Sequence, residues 1–257
     1  MGGTVAATGV TAQGLGLEGP RGWAFRGVSF EAEAGSLITI EGPSGTGRTC
    51  LLLALTGRMK PTEGSATVDG AEVPKRMAAV RRVSALAHVP GVTDLDPALT
   101  VAEHLRERAL LQRRFGDSLR GLLRHRGERR TKERQRIDAA LTAAGFDLDS
   151  LPKGSRTAVR DLERLEALRL SVALALIARP RVLGVDDSDL KLSDAERAEA
   201  WALLKSIAET GTTVVAVCSE APDGTVKVST RAADEAPEPE ETDGKEAPDA
   251  LAEAGRA

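Results

Sequence analysis

One stretch of the chain combines glycines, a cation and a hydroxyl in an order that suits the binding of phosphate groups. A short apolar run, Leu37–Glu41, leads into residues 42–49, Gly-Pro-Ser-Gly-Thr-Gly-Arg-Thr, and an apolar helical pattern follows. The glycines let successive backbone N–H groups turn toward an anion, and the positive end of the following helix adds to them. This spacing is that of a phosphate-binding P-loop, G-x-x-x-x-G-K-[ST].

The loop departs from that pattern at Arg48, which stands where lysine is usual. Arginine keeps the positive charge but replaces a compact ammonium group with a wide, planar guanidinium group. The β-phosphate of a bound nucleotide can therefore be crowded or held weakly. The alternative is an ordinary glycine-rich turn, which the threonine after the cation and the apolar flanks disfavour. The predicted nucleotide-contacting residues are Gly42, Pro43, Ser44, Gly45, Thr46, Gly47, Arg48, Thr49 and Cys50.

Two carboxylates follow a second apolar run much later in the chain. Residues 181–187 read Arg-Val-Leu-Gly-Val-Asp-Asp. A strand ending in aspartate is the usual partner of a P-loop, where its carboxylate and the loop hydroxyl together hold Mg²⁺. We therefore predict Thr49 and Asp186 as metal ligands, and Asp187 as the catalytic residue that orients the attacking water. The alternative is a polar strand end with a satisfied turn.

The pattern around these residues predicts an α/β fold. Alternation predicts strands over 10–17 and 23–32, a hairpin over 65–73 around Asp69-Gly70, and strands within 80–89 and over 212–218. Helical periodicity predicts helices over 50–58, 137–144, 162–178 and 194–209, the last with Ser193 as its N-cap. A further helix begins at Thr100, where Thr100 and Glu103 form a capping box.

Composition restricts the class of protein. The 257 residues, 41% of them hydrophobic, suit one large α/β domain, and the net charge of -3 predicts no nucleic-acid partner. No run approaches 18 apolar residues, so no membrane span is expected. The first residues lack the blocks of a secretory signal, which predicts a cytoplasmic location. Cys50 and Cys218 lie in unrelated contexts and are expected to be reduced.

Two segments carry strong charge. Residues 106–136 hold twelve Lys or Arg against four acids, which indicates either a solvated helical hairpin or a surface facing anionic lipid or an acidic partner. Residues 231–257 hold nine acids against three bases with repeated Ala and Pro, so we expect a disordered acidic tail. Residues 1–9 are expected to form a flexible N-terminus.

The order of these motifs resembles the nucleotide-binding subunits of ATP-binding cassette (ABC) transporters over about residues 10–228. The matching stretches are 35–49, 61–70, 96–105, 173–186, 195–197, 201–204 and 211–217. The resemblance implies a P-loop NTPase cassette over 10–230, with a RecA-like core sheet, an N-terminal antiparallel β subdomain and an inserted helical subdomain at about 92–178. It also implies ATP and Mg²⁺ as cofactors, a transmembrane permease as partner, a homo- or heterodimer with another ATP-binding subunit, and a peripheral position at the inner membrane face.

Several of the family's motifs are altered in this chain. The LSGGQ signature falls on residues 162–166, Leu-Glu-Arg-Leu-Glu, and the Q-loop glutamine on Gly91. Other replacements are Asp187 for the catalytic Glu, Ser219 for the switch His, Ser193 for the D-loop Asp, and Trp23 as the nearest candidate to stack on adenine. We therefore expect a degenerate subunit with ATP binding and weak or absent hydrolysis. A non-catalytic docking or regulatory module is the alternative, and the order of elements disfavours a soluble P-loop kinase.

Overall fold

The structure is a computed structural model that describes residues 9–116, 126–187 and 191–230. The predicted acidic tail, residues 1–8 of the predicted flexible N-terminus and residues 117–125 of the basic segment lie outside the described residues. Within the described ranges, no helix is both long and apolar enough to cross a membrane.

An antiparallel sheet is built mainly from the first part of the chain. Its strands pair in the order β2-β1-β4-β5. They are β1 (Val10–Gly19), β2 (Gly22–Ala32), β4 (Glu63–Val68) and β5 (Ala71–Val73). Asp69 and Gly70, with φ of 46° and 74°, form the tight turn of the β4–β5 hairpin. The predicted hairpin around these two residues is therefore confirmed.

A parallel sheet of five strands forms the centre of the structure, in the order β6-β7-β8-β3-β9. The strands are β3 (Leu37–Glu41), β6 (Ser84–Ala87), β7 (Val182–Val185), β8 (Thr213–Cys218) and β9 (Val226–Ser229). Strands β6, β7 and β8 are buried along their whole length, as expected for a sheet covered on both faces. Because all pairings are parallel, the carboxyl ends of the five strands lie at one edge.

Six helices are assigned in the described ranges. They are α1 (Arg48–Leu55), α2 (Met77–Val83), α3 (Val101–Gly116), α4 (Arg126–Ala143), α5 (Arg164–Leu176) and α6 (Asp194–Glu209). The predicted capping box is present, because the Glu103 carboxylate accepts the Thr100 N–H at 2.7 Å. The predicted N-cap Ser193 also belongs to a capping box, since Glu196 accepts the Ser193 N–H at 2.8 Å.

Helix α1 joins the two sheets. Leu51, Leu52 and Leu55 are fully buried in a core that includes Leu15 of β1 and Ile40 of β3. A second core covers the opposite side of the parallel sheet and includes apolar residues of α3, α4, α5 and α6. The loop that precedes α1 is therefore anchored by a helix buried between two sheets.

The prediction of a short strand within 80–89 is confirmed, and the structure narrows it to Ser84–Ala87. Val80 belongs to α2 and is buried from that helix. A short apolar run does not by itself distinguish a helix end from a strand. Strand β9 was not predicted, although it pairs with β3 at the edge of the parallel sheet.

Candidate phosphate-binding site

The loop from Gly42 to Gly47 leaves β3 at the carboxyl edge of the parallel sheet and enters α1. Gly42, Gly45 and Gly47 have φ of 143°, 85° and 78°, values that side chains disfavour. Gly47 is also fixed by packing, because a Cβ there would lie 2.0 Å from the Ala24 carbonyl oxygen. Pro43, Ser44 and Gly45 are exposed. The loop is thus open to a ligand on one side and pressed against β2 on the other.

Two hydrogen bonds stabilise this loop, one formed within it and one from the residue that follows β9. The Thr46 hydroxyl donates to the Pro43 carbonyl at 2.9 Å and accepts from the Thr230 hydroxyl at 3.0 Å. Thr230 directly follows β9 and is only 5% exposed. Sequence reasoning missed Thr230, because only the pairing of β9 beside β3 brings it to the loop. The loop conformation therefore depends on the last described residue of the chain.

The predicted metal ligands are in direct contact. The Thr49 hydroxyl donates to Oδ2 of Asp186 at 2.6 Å, and Oδ1 of Asp186 accepts the Asp187 N–H at 3.0 Å. Asp186 is 2% exposed, and burial raises the pKa of its carboxyl above the usual value. A hydroxyl and a buried carboxylate beside an anion-binding loop are the oxygen ligands that suit Mg²⁺. The residues present therefore fit the metal.

Arg48 does not extend freely into solvent. Its guanidinium donates to the carbonyl of Cys218, the last residue of β8, while its side chain passes beside Gly42. The charge of Arg48 also acts on Asp186, as the smallest of the influences that lower that carboxyl's pKa. The adjacent Cys50 is half-buried, and burial followed by the charge of Asp186 raises the pKa of its thiol. Cys50 therefore stays a neutral thiol.

The remaining predicted positions lie around the same edge. Asp187 has a left-handed φ of 45°, and its side chain is partly exposed directly after β7. Gly91 has a φ of 74° in an open turn, and a Cβ there would meet no atom within 4 Å. Ser219 follows β8 immediately. These positions are placed by the structure, while their roles stay predictions.

The altered signature forms the start of α5. Glu163 precedes the helix, and the Glu166 carboxylate in its first turn accepts the Glu163 N–H at 2.8 Å. A donor at this helix start is therefore already bound to the chain's own carboxylate. Trp23 is 38% exposed, and the Arg26 guanidinium lies 4.4 Å from the centre of its ring. One face of that indole is thus covered, and stacking on adenine would use the other.

A glycine loop between a parallel strand and a buried helix, with its threonine bound to a strand-end aspartate, defines a P-loop nucleotide-binding protein. The family model described as ABC transporter matches residues 25–189, more than half of the 257 residues. The chain belongs to the ABC transporter family. That confirms the resemblance drawn from the motifs, and the family's cofactors are ATP and Mg²⁺.

Named relatives include both importers and exporters. The chain is 29% identical over 192 residues to "Arabinose import ATP-binding protein AraG 1" of Burkholderia ambifaria, covering 75% of this chain and 35% of the relative. It is 32% identical over 189 residues to "Nod factor export ATP-binding protein I" of Cupriavidus pinatubonensis, covering 73% of this chain and 51% of the relative. The chain thus spans about a third to a half of the length of these relatives.

Solved structures share the fold. A dimeric ATP-binding cassette in a post-hydrolysis state, bound to ADP and Pi, matches with a TM-score of 0.62 and 22% identity, over 82% of this chain and 88% of that one. The cbiO1 protein of Clostridium perfringens matches with a TM-score of 0.64 and 18% identity, over 82% and 78% of the two chains. The predicted cassette fold is therefore confirmed.

Proposed function

We propose that this chain is the ATP-binding subunit of an ABC transporter and that it binds MgATP at the loop 42–49. The contact of Thr49 with Asp186 at 2.6 Å carries this proposal, because it unites a phosphate-binding loop with a buried carboxylate. Thr49 and Asp186 would hold the metal, and the loop amides and Arg48 would hold phosphate oxygens. When bound, Mg²⁺ would neutralise part of the negative charge on the nucleotide's phosphates.

The proposed setting is the cytoplasmic face of a membrane, against a permease. Membership of the ABC transporter family supports this setting, as do relatives named for import and export. The subunit would pair with a second ATP-binding subunit, either a copy of itself or a different chain. A cassette solved as a dimer supports the pairing. The helices between β6 and β7 would form the inserted helical subdomain of a cassette spanning residues 10–230.

Hydrolysis by the chain alone is proposed to be weak. Phosphoryl transfer depends on positioned charges, and loss of a single stabilising donor costs on the order of 3 kcal/mol in other enzymes. Here the signature position offers Glu163 and Glu166, whose negative charge repels a phosphate, and Gly91 has no side chain to reach the metal. A different subunit with an intact signature would supply the missing groups to this chain's loop. Asp187 would orient the water in such a heterodimer.

The acidic start of α5 also favours a second candidate function. A cassette whose Glu166 carboxylate already binds the Glu163 N–H can serve as a docking or regulatory module without nucleotide turnover. The two functions differ in whether the loop 42–49 binds nucleotide at all. Nucleotide binding is therefore the property to measure first.

A thermal-shift titration of the full chain with MgATP makes this distinction. A ligand that binds only the folded state stabilises it by mass action, by about 2.7 kcal/mol at a hundred times its Kd. We expect a saturable rise in Tm with MgATP and a smaller rise in a Thr49→Val variant. Adenosine with Mg²⁺ serves as the control without phosphates. Absence of a shift at millimolar MgATP would favour the docking module.

A further inference from the structure

Three arginines, called here the arginine cluster, lie near the edge of the parallel sheet opposite the phosphate-binding loop. Arg58 follows the end of α1, Arg81 lies in the last turn of α2, and Arg108 belongs to α3. Strand β6 begins at this edge with Ser84. The eight residues of α1 rise about 12 Å, and the loop 42–49 lies at the other end of this helix. The arginine cluster is therefore separate from the loop.

Arg58 and Arg81 are held on consecutive carbonyl groups after α1. Nη1 of Arg58 donates to the Thr56 carbonyl at 2.6 Å and to the Ser84 hydroxyl at 2.8 Å. Nη1 of Arg81 donates to the Gly57 carbonyl at 2.8 Å. Thr56 and Ser84 are buried, whereas Arg58 and Arg81 keep exposed surface. The two guanidinium groups are thus fixed close together at the protein surface.

Arg108 brings a third positive charge to this place from α3. Its Nε donates to the Leu174 carbonyl in the last turn of α5 at 3.0 Å. Burial, followed by the charges of Arg81 and Arg108, lowers the pKa of Arg58 to about 10. Among the described residues, no carboxylate forms an ion pair with any of the three arginines. Like charges are therefore gathered here without an acidic partner.

The cluster carries more positive charge than the helix ends beside it can balance. The carbonyl ends of α1, α2 and α5 contribute roughly half a negative charge each. The three guanidinium groups stay protonated at neutral pH, so roughly one and a half positive charges remain. A single arginine would be enough to cap the end of α1, yet Arg58 and Arg81 both bind there. The excess charge is what a bound anion would offset.

We propose that the arginine cluster binds a phosphate group, carried either by a free polyphosphate or by a lipid headgroup. A guanidinium presents N–H donors in a planar fork that matches two oxygens of a phosphate. The described hydrogen bonds use only Nη1 of Arg81 and only Nε of Arg108, so both side chains keep further donors for a ligand. This site does not depend on nucleotide binding by the loop 42–49.

Titration of the full chain with inorganic pyrophosphate, followed by nuclear magnetic resonance, tests the cluster apart from the loop. We expect saturable shifts of the side-chain Nε–H signals of Arg58 and Arg108, while the backbone amide of Gly45 reports the loop separately. Arg81→Gln should weaken binding at the cluster about tenfold, because a charge-assisted hydrogen bond is lost. Arg81→Lys keeps the charge without the planar fork and should weaken binding less.

Arg82→Gln is the matched control for the titration. It removes the same charge from the next residue of α2, which contributes none of the described hydrogen bonds of the cluster. We expect this variant to bind pyrophosphate nearly as the wild type does. Equal binding by the wild type and Arg81→Gln, or shifts confined to Gly45, would overturn the inference.

Flotation with lipid vesicles identifies which molecule carries the phosphate. The vesicles contain phosphatidylcholine with or without phosphatidic acid. Co-flotation that requires phosphatidic acid, and that is lost in Arg81→Gln but kept in Arg82→Gln, would assign the site to a lipid headgroup. Pyrophosphate binding that depends on Arg81, without co-flotation, would assign it to a free polyphosphate. If neither probe binds in a way that depends on Arg81, the inference is wrong.

Discussion

The hydroxyl of Thr49 and the carboxylate of Asp186 lie 2.6 Å apart, although 137 positions separate them in the sequence. The contact joins the start of α1 to the end of β7 across the edge of the parallel sheet. It requires a carboxylate to stay buried, since Asp186 is 2% exposed. A buried charge of this kind opposes folding even while it prepares a metal site.

Asp186→Asn should therefore stabilise the nucleotide-free protein at neutral pH. Burial raises the pKa of this carboxyl above 3.8, the ordinary value for an aspartate in water. The folded state therefore holds the proton more tightly than the unfolded state. The contribution of Asp186 to the free energy of unfolding thus falls as pH rises from the usual aspartate range through the raised pKa. Urea unfolding of both chains across this range should show the variant's advantage growing with pH. A pH-independent difference would contradict this origin.

Gly47→Ala should disrupt the loop far more than Gly45→Ala. Both glycines have positive φ, so the two variants share the strain of about 1 kcal/mol or more that a left-handed residue carries. Only at Gly47 does the new Cβ meet backbone, 2.0 Å from the Ala24 carbonyl, whereas at Gly45 it meets nothing within 4 Å. We expect loss of saturable MgATP binding for Gly47→Ala alone, and a larger fall in Tm for Gly47→Ala than for Gly45→Ala. Equal behaviour of the two variants would contradict the packing of the loop on β2.

Gly184→Ala should destabilise the core. A Cβ in β7 would lie 2.7 Å from Leu86 Cδ2 and 3.0 Å from Leu52 Cδ1, and overpacking of this kind costs about 1–3 kcal/mol. Gly127 in α4 provides the matched control, because a Cβ there meets no atom within 4 Å and φ is not positive. Gly127→Ala should instead stabilise by about 1 kcal/mol through helix propensity. Chemical denaturation measures the free energy of unfolding of both variants. A Gly184→Ala variant as stable as the wild type would contradict the close approach of β6 and α1 to β7.

Arg48→Lys should tighten ATP binding. The guanidinium now donates to the Cys218 carbonyl at the end of β8, and a compact ammonium can instead act as a point charge for the phosphates. Arg48→Gln, which removes the charge, should weaken binding and is the control. Unchanged or weaker affinity of the lysine variant, measured by calorimetry, would argue against Arg48 lying on the phosphates.

Local patterns were sufficient to predict much of this site. The loop 42–49 and the strand before it follow from spacing alone, and the carboxyl edge of a parallel sheet brings Asp186 to Thr49 wherever the two strands lie close together. The capping box at Thr100 and the N-cap at Ser193 could likewise be predicted, because a helix start depends on residues no more than three positions apart.

Features that depend on tertiary neighbours could not be predicted. The residues Val226–Ser229 have no pattern that sets them apart as a strand, and β9 is recognised only by its pairing with β3. Thr230 consequently became visible as a loop contact only in the structure. The run from Val80 to Ala87 is divided between the end of α2 and strand β6. The burial of Val80 against neighbouring elements fixes this part of the run as helix.

The proposed function requires Thr49 and Asp186 to act together on a nucleotide-bound metal. The direct measurement is a calorimetric titration of the full chain with ATP, in excess Mg²⁺ and in excess chelator, on the wild type and on Thr49→Val. We predict that Mg²⁺ strengthens ATP binding to the wild type and that Thr49→Val loses this gain. A gain that survives in the variant, or a wild type that binds no ATP in either condition, would contradict it.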